Sequence, residues 1–276
     1  MKKETLEKEY YKNKLTQEEI ARKYGITRFT VMAYFKKYNL SPLKPYERNE
    51  SQELNEDQHN LIIGTMLGDG CLQMARASKS AWLTIKHSMA QKDYVAWKYD
   101  ILKNFAGCEI KYSSESYKNK VYEKCYFRTI CHPIFTEYME MFYDHGIKVV
   151  TNEIAEMLNP MVISAWYMDD GYTDGTHMAF CTNSYTEPEL HRLQKVLSDK
   201  FGLVTSLWLT GYTKGNNQKQ YKIAVLKRSV AIMVDIVRPY IIPSMMYKIE
   251  PLLSGASETK CEAPLSEAGE DIVQTQ

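Results

Sequence analysis

The chain has 276 residues, 44% of them apolar and 12% aromatic, which is enough for one large domain or two to three smaller ones with buried cores. No apolar run approaches the ~18 residues of a membrane span, and the glutamate-rich start lacks the apolar stretch of a signal peptide. We therefore expect an intracellular soluble protein without a membrane partner. It would be cytoplasmic in a bacterial or phage host, or organellar if organelle-encoded. Six cysteines without zinc-like spacing argue against a disulfide framework or a zinc site, and the net charge of +1 conceals a basic front end, with 12 lysines and arginines against 6 glutamates in residues 1–48, that suits a polyanionic partner.

Residues 1–45 are predicted to form three short helices. In TQEEIARKY, Thr16 and Glu19 have the spacing of a capping box, and Gly25 ends that helix. A basic helix over ITRFTVMAYFKKY follows, and two short helices joined by a glycine turn are typical of a helix-turn-helix, whose second helix enters the DNA major groove. A small three-helix bundle that contacts protein is the alternative. The candidate DNA contacts on the second helix are Arg28, Thr30 and Lys36.

Two segments differ in composition from the rest of the chain. Residues 46–56 belong to the stretch SPLKPYERNESQELNED, which is polar, contains two prolines and has no apolar periodicity, so we predict a linker there. Residues 251–276 are mostly small, polar and acidic, which predicts a disordered acidic tail.

Between these segments, residues 57–158 and 159–250 repeat one pattern twice. Each copy opens with an apolar helix that ends in Asp-Gly, LIIGTMLGDG or ISAWYMDDG, and continues through a hairpin, an amphipathic helix, a second strand pair and another helix. Each copy closes near a lysine: Lys148 follows Asp69 by 79 residues, and Lys248 follows Asp170 by 78. We therefore predict an α+β fold of two pseudo-symmetric αββαββα subdomains, preceded by the small all-α helix-turn-helix domain.

An aspartate at the foot of an apolar helix is unfavourable, because the partial negative charge of a helix C-terminus costs an acid a few tenths to ~1 kcal/mol. Gly64 in one helix and Ser164-Ala165 in the other would let the two backbones approach closely, which would bring Asp69 and Asp170 together. Two carboxylates and two negative helix ends repel each other unless a divalent cation lies between them. Oxygen ligands without cysteine or histidine suit Mg²⁺, and Mn²⁺ could substitute.

Divalent ions that bridge attacking and leaving oxygens are the usual means of phosphodiester hydrolysis. Lys148 and Lys248 would then stabilise developing charge on the phosphate or position the attacking water. A pseudo-twofold pair of such sites addresses two antiparallel strands, which is the geometry for cutting a duplex. The candidate catalytic residues are therefore Asp69, Asp170, Lys148 and Lys248, with the two aspartates as metal ligands.

The paired helices LIIGTMLGDG and ISAWYMDDG, together with HSMAQKDYVAWKY, HPIFTEYMEMFY, KFGL and RPYIIPSMMYK, resemble the LAGLIDADG homing endonucleases of the single-chain, two-motif type, over roughly residues 55–250. The resemblance implies two sheets that form a β-saddle over DNA, with the paired helices at the dyad. It implies that the last acid of each motif, Asp69 or Asp170, binds metal, and it places the basic active-site residues at Lys148 and Lys248. It further implies cleavage of both strands of a long site across the minor groove, with short 3′ overhangs.

Three further residues are candidates for support of the active site. Asp169 occupies an alanine-like position of the second motif, where it could hold a metal-bound water or could simply face solvent. His87 and Asn183 stand at matching positions in the two copies, where they could assist the chemistry or cap the helix that follows. The helix-turn-helix lies outside the family core, and there it would add affinity or extend the site that is read.

The strand pairs are expected to read DNA, because a β-ribbon fits the major groove. The resemblance places base contacts on alternate residues of segments 71–88, 109–131, 175–184 and 203–228, but a slip of one residue would exchange the two faces of a strand. Most polar residues there are expected to contact phosphate or solvent. The candidates are Gln73, Arg76, Lys79, Lys86, Lys111, Ser113, Lys120, Arg128, Lys214, Asn217, Lys222 and Arg228.

The leading hypothesis is a Mg²⁺-dependent, site-specific double-strand DNA endonuclease that acts as a monomer on a long asymmetric target, since one chain supplies both halves of the dyad. The runner-up is an RNA-binding maturase that helps its host intron RNA to fold, because some proteins with this scaffold do so. A DNA-binding regulator that has lost cleavage is a third hypothesis. Both aspartates and both lysines together argue against the regulator, because a pure binder would have no reason to concentrate negative charge against DNA, but they do not exclude the maturase.

Overall fold

The computed structural model of the protein describes residues 1–43, 53–74, 80–118, 120–213, 215 and 217–255. Most of the predicted linker and tail lies outside these residues, as do the candidate DNA contacts Arg76, Lys79 and Lys214. The predicted disorder is wrong for residues 251–255, which belong to a final helix, Glu250–Gly255. In the ranges described, no helix is both long enough and apolar enough to cross a membrane.

The front segment has three α-helices and a buried cluster of its own. Helices α1 (Lys3–Glu7), α2 (Gln17–Lys23) and α3 (Arg28–Lys37) contribute to it, and a π-helical turn, Lys8–Lys12, continues α1. The capping box of α2 is confirmed, because Thr16 Oγ1 accepts from the Glu19 N–H at 3.1 Å and the Glu19 carboxylate accepts from the Thr16 N–H at 2.7 Å. The buried residues of this cluster are Leu6, Tyr10, Ile20, Ala21, Val31 and Phe35.

The first repeat has the order helix, two strands, helix, two strands, helix. Its elements are α4 (Glu56–Leu67), β1 (Cys71–Met74), β2 (Ala81–Ser88), α5 (Lys92–Ile101), β3 (Lys111–Tyr117), β4 (Lys120–Arg128) and α6 (Pro133–Phe142). The strands form one antiparallel sheet in the order β1-β2-β4-β3. The hairpin of β5 (Tyr143–Asp144) and β6 (Ile147–Lys148), then α7 (Asn152–Glu156), lead into the second repeat.

The second repeat has the same element order. It consists of α8 (Pro160–Asp170), β7 (Gly171–Thr173), β8 (Met178–Phe180), α9 (Glu187–Phe201), β9 (Thr205–Tyr212), β10 (Lys219–Val225) and α10 (Lys227–Val237). A 3₁₀ helix, Pro243–Lys248, and α11 (Glu250–Gly255) follow. Its sheet has the order β7-β8-β10-β9, which matches the first sheet strand for strand. The predicted αββαββα repeat and α+β fold are confirmed.

The first sheet buries one face and leaves the other more exposed, whereas the second sheet buries successive residues of β8 and of the end of β10. Along β2, Ala81, Leu83, Ile85 and His87 are buried, whereas the alternate residues, including Lys86, are more exposed. Helices α5 and α6 contact β2, and the buried residues of both repeats form one continuous apolar cluster with α4 and α8. The fold therefore packs α4, α8 and both sheets around one apolar core.

Candidate active site

Helices α4 and α8 pack in direct backbone contact at Gly64. A Cβ built on Gly64 would lie 2.6 Å from the Val162 carbonyl oxygen and 2.7 Å from the Ala165 Cβ, so a side chain there would force the helices apart. Asn159 Nδ2 also donates to Asn60 Oδ1 at 2.7 Å across the pair. Ala165 lies in this contact as predicted.

Ser164 lies on a different face of α8 from the helix contact. Its hydroxyl donates to the Pro160 carbonyl at 2.6 Å and reaches the Val237 carbonyl of α10 at 3.5 Å. The expectation that Ser164 also eases the approach of α4 is therefore wrong, and Gly64 with Ala165 is sufficient for it.

The two helices end differently at the acidic residues. Helix α4 ends at Leu67, with Gly68 as its C-cap, so Asp69 lies in the turn beyond the helix, whereas Asp170 is the last residue of α8. The side chain of Asp69 is 49% exposed. Burial raises the pKa of both carboxyls, and the pKa of Asp170, which the negative charge of Asp69 also raises, reaches about 7. The two acids lie at the same end of the helix pair, because the Asp69 N–H donates to Asp169 Oδ2 at 3.2 Å and Asp169 immediately precedes Asp170. Asp169 is a third negative charge there.

Lys148 and Lys248 hold the C-terminal ends of the two helices. Lys148 Nζ donates to the carbonyls of Gly68 and Gly70, each at 3.0 Å. Lys248 Nζ donates to the carbonyls of Tyr167, Met168 and Asp169 at 3.3, 2.6 and 3.1 Å. Cations at helix C-termini satisfy otherwise unpaired carbonyls and oppose the helix dipole. Burial lowers the pKa of both ammonium groups, and the surrounding aspartates act in the opposite direction.

The two lysines differ in how many of their protons are committed. An ammonium has three donors, and three carbonyls accept from Lys248, which is only 8% exposed. Two carbonyls accept from Lys148 among the described residues, and it is less buried than Lys248. The sequence predicts that both lysines stabilise charge on the phosphate. Lys148 can donate to a phosphate more readily than Lys248, because fewer of its protons are already hydrogen-bonded to the protein.

Asp169 is buried, so the alternative that it simply faces solvent is wrong. Lys98 Nζ lies 2.6 Å from Asp169 Oδ1, and both side chains have no exposed area. Asp169 Oδ2 accepts from the backbone N–H of Asp69 at 3.2 Å. The Asp169 carboxylate of the second repeat thus connects a lysine of α5 to the peptide of a candidate metal ligand in the first repeat.

Sequence reasoning missed Lys98 entirely. A lysine on an amphipathic helix is usually solvent-exposed, but Lys98 follows Tyr94 by four residues and Val95 by three, which puts it on the apolar face of α5. Tyr94 is buried beside it, with the Lys98 Nζ 4.3 Å from the ring centroid and the Tyr94 hydroxyl donating to the Ala165 carbonyl at 3.1 Å. Its place on the buried face was the signal available in the sequence.

His87 and Asn183 have different surroundings, although they match in the sequence repeat. His87 Nδ1 lies 3.6 Å from Asp69 Oδ2, and its Nε2 lies 3.8 Å from Asp169 Oδ1. Burial and the charge of Lys98 lower the pKa of His87 to about 4, so the ring is neutral near pH 7. Asn183 lies beyond the end of β8, where its Oδ1 accepts from the Thr210 hydroxyl at 2.8 Å. The structure thus brings His87, but not Asn183, to the acids.

Asp69 belongs to a cluster of three side chains with metal-ligand atoms. Asp69, His87 and Asp169 each offer one atom within 4.8 Å of the others, but the Lys98 ammonium already contacts Asp169 Oδ1 at 2.6 Å and His87 Nε2 at 3.4 Å, so Asp69 is the member available to a divalent cation. Asp170 adds a further acid. Burial first, and then repulsion among these carboxylates, raises the pKa of Asp69 and Asp170, and a bound cation would relieve the repulsion. Oxygen donors dominate the set, as Mg²⁺ requires.

The first sheet carries the candidate DNA contacts on one face. Residues that pair directly across antiparallel strands share a face, and the pairs Lys86 with Tyr126, and Lys111 with Tyr126, connect β2, β4 and β3. Thr84 pairs with both Cys71 and Arg128, and Thr84 and Lys86 alternate along β2, which adds β1 to that face. The strand register left open by the sequence is thereby set for this sheet. The candidates on this face are Gln73, Lys86, Lys111, Ser113, Lys120 and Arg128.

The second sheet is less polar at the corresponding place. Lys222 lies over the rings of Tyr172 and Trp208, with its Nζ 5.0 Å from each centroid, and it donates to the Tyr172 hydroxyl. Arg228 is exposed in the first turn of α10, so its assignment to a strand segment is wrong: β10 already ends at Val225. Lys120 is exposed at the start of β4, next to the loop that joins it to β3. Asn217 lies in the segment between β9 and β10 and is also exposed.

In the front segment, α3 presents Arg28 and Lys36 to solvent. Thr30 is partly exposed, and its hydroxyl shares a hydrogen bond of 2.9 Å with the hydroxyl of the N-cap Thr27. Phe29 is 81% exposed between them, which is unusual for a phenylalanine on a packed helix. Gly25, at the turn between α2 and α3, has φ of +63°, the left-handed conformation that glycine adopts without steric cost.

Two helices in backbone contact, with acids at their C-terminal ends and each followed by a four-stranded antiparallel sheet, define an α+β class of protein with a duplicated αββαββα unit. Comparison with known proteins identifies the family. The model of the LAGLIDADG DNA endonuclease family matches residues 59–233, well over half of the chain. The protein belongs to this family.

Individual relatives are more distant. The chain is similar to the cytochrome b mRNA maturase bI2 of Debaryomyces hansenii, at 26% identity over 73% of this chain and 76% of the relative. It is similar to the DNA endonuclease I-ChuI of Chlamydomonas applanata, at 28% identity over 71% of this chain and 95% of the relative. Among solved structures, the homing endonuclease I-WcaI bound to its DNA recognition sequence aligns with a TM-score of 0.65 at 20% identity, over 72% of this chain and 88% of that one. These matches agree on a LAGLIDADG fold.

Proposed function

We propose that this LAGLIDADG protein is a homing endonuclease that makes staggered double-strand breaks at a long, asymmetric DNA site, as a monomer. The observation that carries the proposal is the convergence of Asp69 and Asp170 at the ends of two helices in backbone contact, next to a sheet with lysines and an arginine on its open face. A chain that supplies both acids needs no second copy to address two strands.

The chemistry depends on a divalent ion, Mg²⁺ with Mn²⁺ as substitute. Asp69 and Asp170 would hold it, and when bound it supplies a Lewis acid for the scissile phosphate and lowers the pKa of the attacking water. The side chains of the protein hold the acids in place: Lys148 and Lys248 fix the helix ends, and Asp169 fixes the Asp69 peptide. The Nδ1 of neutral His87 faces the acceptor Gln91 Oε1 at 3.1 Å, and its Nε2 faces the Lys98 ammonium at 3.4 Å, so Nδ1 carries the proton. This N–H, 3.6 Å from Asp69 Oδ2, would donate a hydrogen bond to that carboxylate or to a water beside it.

DNA would lie on the open faces of the two sheets. Lys86, Lys111 and Arg128 share one face of the first sheet, where they can reach phosphates or base edges in the major groove. Lys222, held over Tyr172 and Trp208, would give the second sheet a fixed cation on its surface.

The front segment would add phosphate contacts through α3. Deletion of residues 1–45 is expected to weaken DNA binding and to lower the slope of log affinity against log salt by about 0.9 for each phosphate that the truncated protein no longer neutralises. Binding measured by fluorescence anisotropy across a salt series tests this. An unchanged affinity and slope would assign the helix-turn-helix to another partner.

A second candidate function is assistance to intron RNA folding, favoured by the similarity to a protein named as a cytochrome b mRNA maturase. The two functions are tested separately. A plasmid that carries the joined DNA from either side of the reading frame should be linearised in Mg²⁺, with ends mapped by sequencing. Splicing of the precursor RNA with and without protein tests the maturase. Splicing help without any cutting would replace the endonuclease proposal.

A further inference from the structure

The strongest unassigned feature is a buried connection from α5 to the peptide of Asp69. Lys98 Nζ lies 2.6 Å from Asp169 Oδ1, and neither side chain has any exposed area. The other oxygen of Asp169 accepts from the Asp69 backbone N–H at 3.2 Å. A buried lysine and carboxylate tolerate burial only as a pair, so this contact fixes the position of both and of the peptide they hold.

The connection requires Gly68. A Cβ on Gly68 would lie 2.4 Å from the Asp169 Cβ and 2.8 Å from its Oδ2, so any side chain would displace the carboxylate. Gly68 and Asp169 occupy matching positions of the two motifs, each immediately before the candidate metal ligand. Because a glycine on one side accommodates an aspartate from the other, the contact is asymmetric about the pair of helices.

The second repeat anchors its acid in another way. Gln194 of α9 matches Lys98 when the two amphipathic helices are aligned, and its side chain donates to Thr205 Oγ1 at 3.1 Å, away from the acids. The Asp170 backbone carbonyl instead accepts from the Cys181 N–H at 2.9 Å. Asp170 is also inside α8, whereas Asp69 is outside α4 and needs other contacts to hold it.

The ammonium of Lys98 also contacts Asp169 and His87, two of the three side chains that could share a metal with Asp69. It lies 2.6 Å from the Asp169 carboxylate and 3.4 Å from His87 Nε2. A second cation between these groups would be repelled by it. Lys98 therefore removes Asp169 and His87 Nε2 from the metal-binding set and leaves the exposed side of Asp69 for the metal.

We propose that Lys98 is a positioning residue for Asp69: through Asp169 it holds the peptide of Asp69 in place, so that cleavage of the two DNA strands depends on Lys98 unequally. The unequal cutting rests on the proposed endonuclease function. The effect on the Asp69 peptide does not, and it can be measured without metal or DNA.

The test compares wild type, Lys98→Met, the double variant Lys98→Met/Asp169→Asn and the matched control Gln194→Met. Amide hydrogen exchange by mass spectrometry would follow peptides covering residues 66–72, with those covering 167–173 as internal reference. For Lys98→Met we expect exchange in 66–72 to rise by at least about tenfold and the reference to change little. The control should leave both unchanged. The double variant removes both buried charges, so it keeps the test valid where Lys98→Met alone does not fold.

Strand-resolved cutting is the second measurement, on a target labelled on both strands. We expect Lys98→Met and the double variant to slow one strand by about tenfold more than the other, so that nicked product accumulates, because small misplacement of a catalytic group is costly. Unchanged exchange in 66–72 in the folded variants, or equal effects on both peptides and both strands, would overturn the proposal. If the wild-type protein cuts no target, the proposed endonuclease function is wrong. The exchange measurement alone then decides whether Lys98 positions the Asp69 peptide.

Discussion

The two repeats have the same topology but hold their acids by different means. In the first, Asp69 lies in a turn and depends on side chains: Lys148 on the neighbouring carbonyls and Asp169 on its own N–H. In the second, Asp170 completes a helix whose last carbonyls are held by Lys248. Duplication of a fold therefore does not duplicate the environment of its catalytic groups, and each half has to be tested separately.

The largest effect is expected from the acids themselves. Asp69→Asn and Asp170→Asn should each lower the rate of double-strand cleavage by more than about a thousandfold, because each removes charge that anchors the metal at the scissile phosphate. DNA affinity without divalent metal should stay largely unchanged, since the groove contacts lie elsewhere. Single-turnover cleavage and gel-shift titration measure the two quantities.

Asp235→Asn, an exposed aspartate of α10, is the control for this pair of variants. If both repeats contribute equally to the chemistry, the two active-site variants will be equally defective on both strands. Undiminished cutting by either variant would refute the assignment of that acid.

Sequence reasoning predicted the fold because both copies carry the same order of elements, and this prediction is confirmed. It selected the two aspartates and two lysines by their spacing in the repeat, and their catalytic role stays a prediction. It could not find the pairing of Lys98 with Asp169, since these residues are 71 positions apart and meet only in the folded protein. It matched Asn183 with His87 by their places in the repeat, but β8 ends at Phe180, and Asn183 beyond it bonds to Thr210 of β9. Periodicity reports burial along one element and carries no information on contacts between elements.

The lysines offer the next comparison. Lys248→Met leaves three helix-end carbonyls without a donor in a buried place and should lower the free energy of unfolding by about 2–4 kcal/mol. Lys148→Met leaves two carbonyls without a donor at a less buried place and should lower the free energy of unfolding by about 1–2 kcal/mol. Urea denaturation of the metal-free proteins measures both effects. A larger decrease for Lys148→Met would show that the first repeat, and not the second, depends more on its lysine for stability.

The pKa of Asp170 predicts how the stability of the metal-free protein changes with pH. Burial and neighbouring acids raise it from 3.8 to about 7 in the folded state, so the folded protein binds the proton more tightly than the unfolded chain. The contribution of the Asp170 carboxyl to the free energy of unfolding therefore falls as pH rises from about 4 to about 7. Asp170→Asn removes the penalty, and we expect its free energy of unfolding to exceed that of wild type by about 1–3 kcal/mol above pH 7, with little difference at pH 4.

Mg²⁺ should reverse the order of these two proteins. Wild type gains stability from the ion and Asp170→Asn does not, so a thermal-shift series in Mg²⁺ at about pH 8, above the raised pKa, separates them. Equal stability of the two proteins from about pH 4 to about pH 8 without metal would mean that Asp170 is not under electrostatic strain.

The smallest effect concerns the open sheet faces, where the two repeats also differ. In the first sheet, Glu115 lies between two cations, 2.7 Å from Lys86 and 2.5 Å from Lys124, and hydrogen bonds from these lysines lower its pKa to about 2. In the second, Lys222 is held by aromatic rings and has no such acid in the interactions described for it. A carboxylate on a DNA-binding face neutralises lysines that could otherwise contact phosphate.

Glu115→Gln should therefore strengthen DNA binding by about two- to fivefold and increase the salt slope, since freed lysines displace more counterions from the duplex. Glu123→Gln is a suitable control, because Glu123 is an exposed acid on the same strand pair whose side chain alternates to the other face. Anisotropy titrations at several salt concentrations resolve the effect. If both variants bind alike, Glu115 is not screening the lysines from DNA; if Glu115→Gln binds more weakly, Glu115 instead orders Lys86 and Lys124 for the contacts they make.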